Sequence, residues 1–317
     1  MEAKKMNKLV FTVTLNPAVD KTVTVEKLIV GGVNRVQELR IDPGGKGINV
    51  ARVLNNFGTE VAAFGLIAGH QGRFIQSKLE GEGIKTYFIN VPGETRTNLK
   101  IVDMASTTTT EINEPGFWVE EKKLYEFTEL LLSRLKEASF LVLSGSLPAG
   151  VSPAIYKDYI ENARKFGIKT FLDANGDALR EGIAGKPFGV KPNLLELQEL
   201  MGQTLDTTEK IVDAGKTLLK EGIALVVISL GKDGAIFLSN QEGFKVTPFP
   251  VTPLSTVGAG DTMVAAIVFA LLQGKPLIEI ARLATTAGTV AAAKSGTQAC
   301  TLAEVLEKLS LVHVERL

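Results

Sequence analysis

Ala224-Leu-Val-Val-Ile-Ser229 is a short run, apolar up to its closing serine, and an amphipathic helical stretch from Thr208 to Glu221 precedes it. A strand this apolar is buried on both faces, and a helix of this length before it is the crossover of a βαβ unit. Working outward, the same pairing recurs. Lys169 to Asp173 is a strand preceded by a helix over Pro153 to Phe166, which stops at Gly167. Phe140 to Ser144 is another strand, behind a long helix over Glu120 to Lys136 with Leu124, Phe127, Leu131 and Leu135 on one stripe. Toward the N-terminus, Leu9 to Leu15 and Val61 to Ile67 read as strands, with helices over Ile48 to Phe57 and Gly72 to Glu82. Leu194 to Met201 adds another element to the series. Alternating strands and helices predict a mostly parallel sheet covered on both faces.

Between these units the texture changes. Thr22 to Val25, Asn34 to Ile41, Lys85 to Val91, Arg96 to Val102 and Thr107 to Ile112 alternate polar and apolar residues. Period two predicts half-buried strands, here a small antiparallel sheet formed by excursions from the larger body.

Composition bounds the function. The chain has 317 residues, 45% of them apolar, enough for one large α/β domain or two smaller domains. Its 35 basic and 35 acidic side chains balance, which argues against a nucleic-acid coat or a polybasic membrane anchor. A single cysteine, Cys300, precludes an intramolecular disulfide, and the two histidines cannot form a three-histidine metal site. A reducing, cytoplasmic setting is expected. Met1 to Lys8 is polar, with no apolar signal core before Leu9, and the longest apolar stretch falls short of the ~20 residues of a membrane helix.

Ligand sites in parallel sheets lie beyond the carboxyl ends of the strands, and the conspicuous polar and glycine residues fall there: Asn16, Gly145, Asp173, Lys191 and Gly231. The most specific stretch is Thr256-Val-Gly-Ala-Gly-Asp261, followed at once by an apolar helical run from Met263 to Leu272. Glycines allow close backbone approach, and a helix start offers free N–H groups and a positive dipole end. A carboxylate planted there suits proton abstraction from a hydroxyl beside a transferring anion. Asp261 is therefore the candidate base, with Gly258, Ala259 and Gly260 as N–H donors.

A second glycine run, Asp42-Pro-Gly-Gly-Lys-Gly-Ile-Asn49, lacks the Ser or Thr of a Walker loop and the spacing of a dinucleotide fingerprint. Gly44, Gly45, Lys46 and Asn49 suit a sugar, as does Asp20 upstream; a turn and helix cap is the plainer reading. Arg96 is either a solvated strand residue or an anion partner. Asn193 and Glu196, three apart after Lys191, form either a capping box or water-mediated magnesium contacts. Ser229-Leu-Gly-Lys-Asp-Gly234 reads as a tight hairpin turn that would also suit a nucleotide phosphate. The small residues from Gly288 to Lys294 allow a flat ring between backbone segments, or tight helix packing. His70 and His313 have no partner that suggests chemistry.

The Gly44–Asn49 and Thr256–Asp261 runs, with Asn193-Leu-Leu-Glu196 between them, resemble the signatures of the ribokinase-like (PfkB) sugar kinases. The likeness spans about Phe11 to Thr297. Thr14 to Asp20, Asp42 to Arg52, Thr95-Arg96, Thr110 to Gly116 and Leu143 to Gly150 resemble the members acting on fructose 1-phosphate, with those acting on tagatose 6-phosphate next. Arg96-Thr-Asn-Leu-Lys100 leans toward the former. Gly69-His70 and Asp173-Ala-Asn-Gly176 depart from the usual pattern.

The resemblance implies a three-layer α/β/α Rossmann-like domain over 1–317, with a β-sheet lid from inserted segments at about 20–42 and 86–113. It implies ATP and Mg2+, with a monovalent cation near Val251 to Thr256 left open. Asp20, Gly44, Gly45, Lys46, Asn49, Arg96 and Ser144 would bind the sugar phosphate, with Lys46 and Arg96 on its existing phosphate. Lys191, Asn193, Ser229, Gly231, Gly234 and Gly288 would bind the nucleotide, and Glu196 and Asn193 the metal, mostly through water. A homodimer through the lid is expected, without nucleic acid or membrane. The rival class is a non-catalytic sugar or nucleotide binding module.

Overall fold

The computed structural model describes residues 9–317, so Met1 to Lys8 lie outside the described residues. In chain order the first seven strands are β1 (Val10–Thr14), β2 (Ala18–Val25), β3 (Glu38–Gly44), β4 (Val61–Ile67), β5 (Lys85–Asn90), β6 (Arg96–Asp103) and β7 (Thr108–Asn113). The others are β8 (Phe140–Ser144), β9 (Lys169–Asp173), β10 (Gly189–Val190), β11 (Leu225–Ser229), β12 (Ala235–Ser239), β13 (Gly243–Thr247) and β14 (His313–Arg316). Ten form one sheet in the order β14-β13-β12-β11-β10-β9-β8-β1-β4-β5, and four form a second in the order β3-β2-β6-β7.

From β5 to β11 every neighbouring pair in the large sheet is parallel. β12, β13 and β14 extend it as antiparallel strands. Period-two alternation gives each face its own core. Phe11, Val13, Phe64 and Leu66 face the helices Glu121–Arg134, Ile155–Lys165 and Thr208–Lys220. Val10, Ala63, Phe140 and Val142 face Lys46–Asn56, Ala259–Leu272 and Leu277–Ala292. The result is the three-layer α/β/α arrangement with a separate small sheet.

Three expectations are corrected. Lys85–Asn90 is not a lid strand: β5 pairs with β4 at the edge of the large sheet. An edge strand is half covered, so it shows the same alternation as a lid strand. The small sheet is mixed, because β2 and β6 leave the body side by side and pair in parallel, while β3 and β7 return antiparallel on either side. The strand expected over Asn34 to Ile41 begins only at Glu38. The lid thus consists of β2, β3, β6 and β7, attached beyond the carboxyl ends of β1 and β5.

Candidate active site

The carboxyl edge of the parallel strands and the inner face of the lid enclose a cavity of about 320 Å³. Twelve of the expected site residues line it: Asp20, Gly45, Lys46, Asn49, Arg96, Lys191, Asn193, Glu196, Ser229, Gly258, Gly260 and Asp261. They come from widely separated parts of the chain: the lid strands β2 and β6, the end of β11, and the starts of the helices Lys46–Asn56, Leu194–Met201 and Ala259–Leu272.

Asp261 sits in the first turn of the helix Ala259–Leu272, behind Gly258, whose φ of 79° only glycine adopts readily. The helix ladder begins with the Thr262 N–H donating to the Gly258 carbonyl at 2.8 Å. The N–H groups of Gly260 and Asp261 precede that ladder, and that of Ala259 makes only a long 3.4 Å contact to the Thr256 carbonyl. Such a terminus attracts an anion. The Asp261 carboxylate is buried, and Asn49 Nδ2 donates to its Oδ2 at 2.7 Å. Burial, with the nearby Asp173 charge adding to it, pushes the Asp261 pKa up to about 6, against the pull of Lys46, Asn49 and Lys191.

Two lysines converge on Asp173 at the end of β9. Lys46 Nζ lies 3.0 Å and Lys191 Nζ 3.5 Å from the same oxygen, Oδ1. Burial would raise the pKa of this fully enclosed carboxyl, but Lys191 and Lys46 outweigh it and hold the carboxylate ionised. Burial likewise opposes charge on Lys46, yet Asp173, Asp261 and Glu196 together raise its pKa.

Arg96, at the start of β6, is held by neutral oxygens. Its Nη1 donates to the Glu114 carbonyl at 3.1 Å, and Nη2 donates to the Asn16 carbonyl at 3.1 Å and to Ser146 Oγ at 3.4 Å. Its Nε is buried without a protein acceptor. A guanidinium fixed this way keeps its charge available to an incoming anion. Nearby, Asp20 meets Lys100 at 3.1 Å.

Asn193 and Glu196 form the reciprocal capping box of the helix Leu194–Met201: Asn193 Oδ1 accepts from the Glu196 N–H, and Glu196 Oε2 accepts from the Asn193 N–H. Both residues also line the cavity, and Glu196 Oε1 is outside the box. No cluster of three or more His, Cys, Asp or Glu side chains among the described residues could hold a metal unaided. One carboxylate at the rim suits Mg2+, which keeps several waters and takes its other ligands from phosphates.

Six expected residues are not on the cavity wall. Ala259 lies behind Gly258. Gly44 backs Asp20, where a Cβ would come 2.5 Å from the carboxylate. Ser144 is wholly buried at the end of β8. Gly231 and Gly234 shape the β11–β12 hairpin turn, with φ of 61° and 91°. Gly288 lets the helix Leu277–Ala292 pack on Ala259–Leu272, where a Cβ would meet Met263 Cγ at 2.7 Å.

Conversely, the cavity wall includes Asn98, Lys100, Glu111, Asn113 and Asp173, which were not expected as ligand contacts. The signal for the first two was present: on a strand, Arg96, Asn98 and Lys100 share one face. Five carboxylates line the cavity against four cations, too little positive charge to neutralise two phosphorylated ligands unaided.

Comparison with known proteins agrees with this geometry. The sequence pattern described as pfkB family carbohydrate kinase matches residues 12–304. A 1-phosphofructokinase of Rhodobacter capsulatus is 41% identical over 279 residues, covering 86% of this chain and 87% of the relative. A tagatose-6-phosphate kinase of Staphylococcus epidermidis is 35% identical over 292 residues, covering 91% and 94%. Among solved structures, phosphofructokinase-2 from Escherichia coli in complex with potassium superposes with a TM-score of 0.88 at 31% identity, covering 95% of this chain and 98% of that one.

Proposed function

This chain belongs to the pfkB family of carbohydrate kinases, and we propose that its ATP-dependent reaction on a hexose phosphate is transfer to the C6 hydroxyl of D-fructose 1-phosphate, giving fructose 1,6-bisphosphate. One observation carries this. A single cavity holds a buried carboxyl, its pKa pushed up to about 6, at a helix N-terminus, and a guanidinium bound only to neutral oxygens.

In this mechanism Asp20, Gly45 and Asn49 orient the sugar, and Arg96 receives the phosphate it already carries. Lys46, expected from the sequence at that same phosphate, pairs with Asp173 and so also serves the transferring group. Asp261 takes the proton of the attacking hydroxyl. Its modestly raised pKa suffices, since proton transfer can come late in a loose phosphoryl-transfer transition state. The N–H groups of Gly258, Ala259 and Gly260 receive negative charge on the transferring oxygens. Lys191, Ser229 and the Gly231–Gly234 turn bind the nucleotide phosphates, and the segment at Gly288 flanks the base. Glu196 and Asn193 would hold Mg2+ through water, and the ion would supply charge neutralisation at the nucleotide phosphates. A monovalent cation near the Val251 to Thr256 loop is part of the same proposal. The lid excludes water, which would otherwise compete for the phosphoryl group.

The lid also proposes a partner. Its exposed apolar side chains include Ile29, Val30, Val33, Val36, Leu39 and Ile112. Exposed apolar side chains on a sheet with open edges call for cover, and a second copy through the lid supplies it. Sedimentation that finds only monomer at micromolar concentration overturns the dimer. ATP as donor and the one buried cysteine support a cytoplasmic setting; no described helix is long and apolar enough to cross a membrane.

The deciding experiment is a competition assay of ATP consumption with fructose 1-phosphate, fructose 6-phosphate, tagatose 6-phosphate and unphosphorylated fructose. The highest kcat/KM is expected for fructose 1-phosphate. A preference for tagatose 6-phosphate replaces the substrate, and sugar-independent ligand binding without turnover replaces the enzyme.

A further inference from the structure

Lys100 is one of the most buried charged residues in the protein, 2% exposed, and no step above uses it. It lies on β6 facing the cavity, with Nζ 3.1 Å from Asp20 Oδ2; the two side chains are 3% and 5% exposed. Off this ion pair, the Nζ has no hydrogen-bond acceptor in the protein. A buried ion pair is a poor stabilising device compared with apolar packing, so its presence at a ligand cavity asks for another explanation.

The strand register supplies one. Asp20 on β2 stands directly opposite Asp42 on β3 and opposite Asn98 on β6. Like charges facing each other across strands are unfavourable. Asp42 has its own cation: Arg40, two residues back on the same strand, donates to both of its oxygens. Lys100 is therefore left to Asp20 alone. Asn98 Nδ2 donates to Asp20 Oδ1 at 3.3 Å, and Gly44 leaves room for Oδ2 that any side chain would fill. Arg96, on the same face of β6, feels the Asp20 charge, and the exposed Glu111 stands opposite Lys100 on β7. Burial pushes the Asp20 pKa upward, Lys100 and Asn98 draw it back, and Asp42 adds a further upward push.

We propose that Lys100 is a positioning residue of the sugar site: its enclosed ammonium keeps Asp20 a carboxylate, able to accept two hydroxyl hydrogens of the sugar. This rests on the sugar-kinase reading above. Without the ammonium, the upward push of burial and Asp42 loses its main counterweight, and Asp20 binds a proton more readily. A protonated carboxyl donates from one oxygen and loses an acceptor.

The test measures KM and kcat for fructose 1-phosphate at saturating ATP, from about pH 6 to 9, in the wild type, Lys100→Met, Lys100→Arg and the double variant Asp20→Asn/Lys100→Met. Lys100→Met is expected to raise the sugar KM by about tenfold or more at the acid end, with recovery as pH rises and a much smaller change in kcat. Lys100→Arg keeps the charge and holds KM within about threefold. The double variant has a high KM at every pH. An increase of equal size at all pH values in Lys100→Met means that Lys100 meets the substrate directly, and overturns the proposal; so does a wild-type KM in either methionine variant.

Unfolding of the unliganded proteins is the second readout. Lys100→Met is expected to lose stability, relative to the double variant, as pH rises from 6 to 9. Parallel profiles overturn the Lys100–Asp20 coupling even if the wild type fails to use fructose 1-phosphate, a failure that would strike the substrate assignment instead.

Discussion

Asp261→Asn separates a catalytic acid from a structural one, because the two roles move activity and stability in opposite directions. Asn is isosteric, and its amide oxygen can still accept from Asn49 Nδ2. Loss of a positioned base costs about 10²–10⁴ in turnover, which is about 3–5.5 kcal/mol on the barrier at ~1.36 kcal/mol per tenfold. Stability should change the other way. The carboxyl is held at about 6 rather than 3.8, chiefly by burial. Its folded pKa lies above its unfolded one, so the native state binds the extra proton between those values, and stability falls as pH rises through that window. At ~1.36 kcal/mol per pH unit, the ionised side chain destabilises the unliganded protein at pH 7 by about 3 kcal/mol, to order of magnitude. The neutral amide removes that penalty. With an unfolding entropy of roughly 2.1 cal/mol/K per residue over 317 residues, the melting temperature should rise by about 4 °C. The assay pairs ADP release, with fructose 1-phosphate and ATP both saturating, with thermal unfolding of the unliganded protein at pH 5 and pH 7. The Asn variant should be slow, more stable than wild type by the full amount at pH 7, and by only about half of it at pH 5, midway through that window. Wild-type kcat/KM should climb about tenfold per pH unit below 6 and level off above it. Turnover within tenfold of wild type, or a variant less stable at pH 7, refutes the base assignment.

Arg96→Ala should raise KM for the sugar phosphate by about 10²-fold, the order of a lost charge-assisted contact, while KM for ATP stays within about threefold. Equal weakening of both would assign Arg96 to the lid's architecture. Gly288→Ala should lower unfolding free energy by about 1–3 kcal/mol in urea titration, since the new methyl meets Met263. A large loss of nucleotide affinity with intact stability would instead place the residue against the base.

The body of the fold was legible because strands buried on both faces leave short apolar runs, and here helical stretches alternate with them. Leu225–Ser229 and Phe140–Ser144 are such runs. The lid was harder, because alternation reports half burial and not which sheet a strand joins; β5 and β6 look alike in sequence and belong to different sheets. Strand direction is equally silent in a period-two pattern. At the site, residues inside glycine-rich runs could be read from the chemistry of their neighbours in the chain. Lys46, Asp173 and Lys191 could not be read as a group: Lys46 opens the helix after the lid strand β3, Asp173 ends β9, and the two are 127 residues apart and meet only in the folded chain. Lys100 was hidden in a strand whose register decides its partner. At Gly288 the structure shows a packing requirement, and in sequence a ligand requirement would look the same.

Three buried carboxyl groups share this cleft, and the number of cations given to each separates them. Asp173 has two lysines on one oxygen and is held ionised. Asp20 has one lysine and one amide, which draw back part of the upward push of burial. Asp261 has only the Asn49 amide in direct contact, and Asp173 nearby, and its pKa is pushed up to about 6. A group that must stay charged to hold two ammonium groups in place needs the strongest neutralisation. One that must accept hydroxyl hydrogens needs enough to remain a carboxylate. A base must be able to take a proton and give it back near neutral pH, so it needs the least. On that ordering the acid with the fewest cations is the proton acceptor, and it is also the one placed at a helix N-terminus. Adding a cation beside it, as Val257→Lys would from the cavity wall, should lower its pKa and slow turnover at neutral pH even if both substrates still bind.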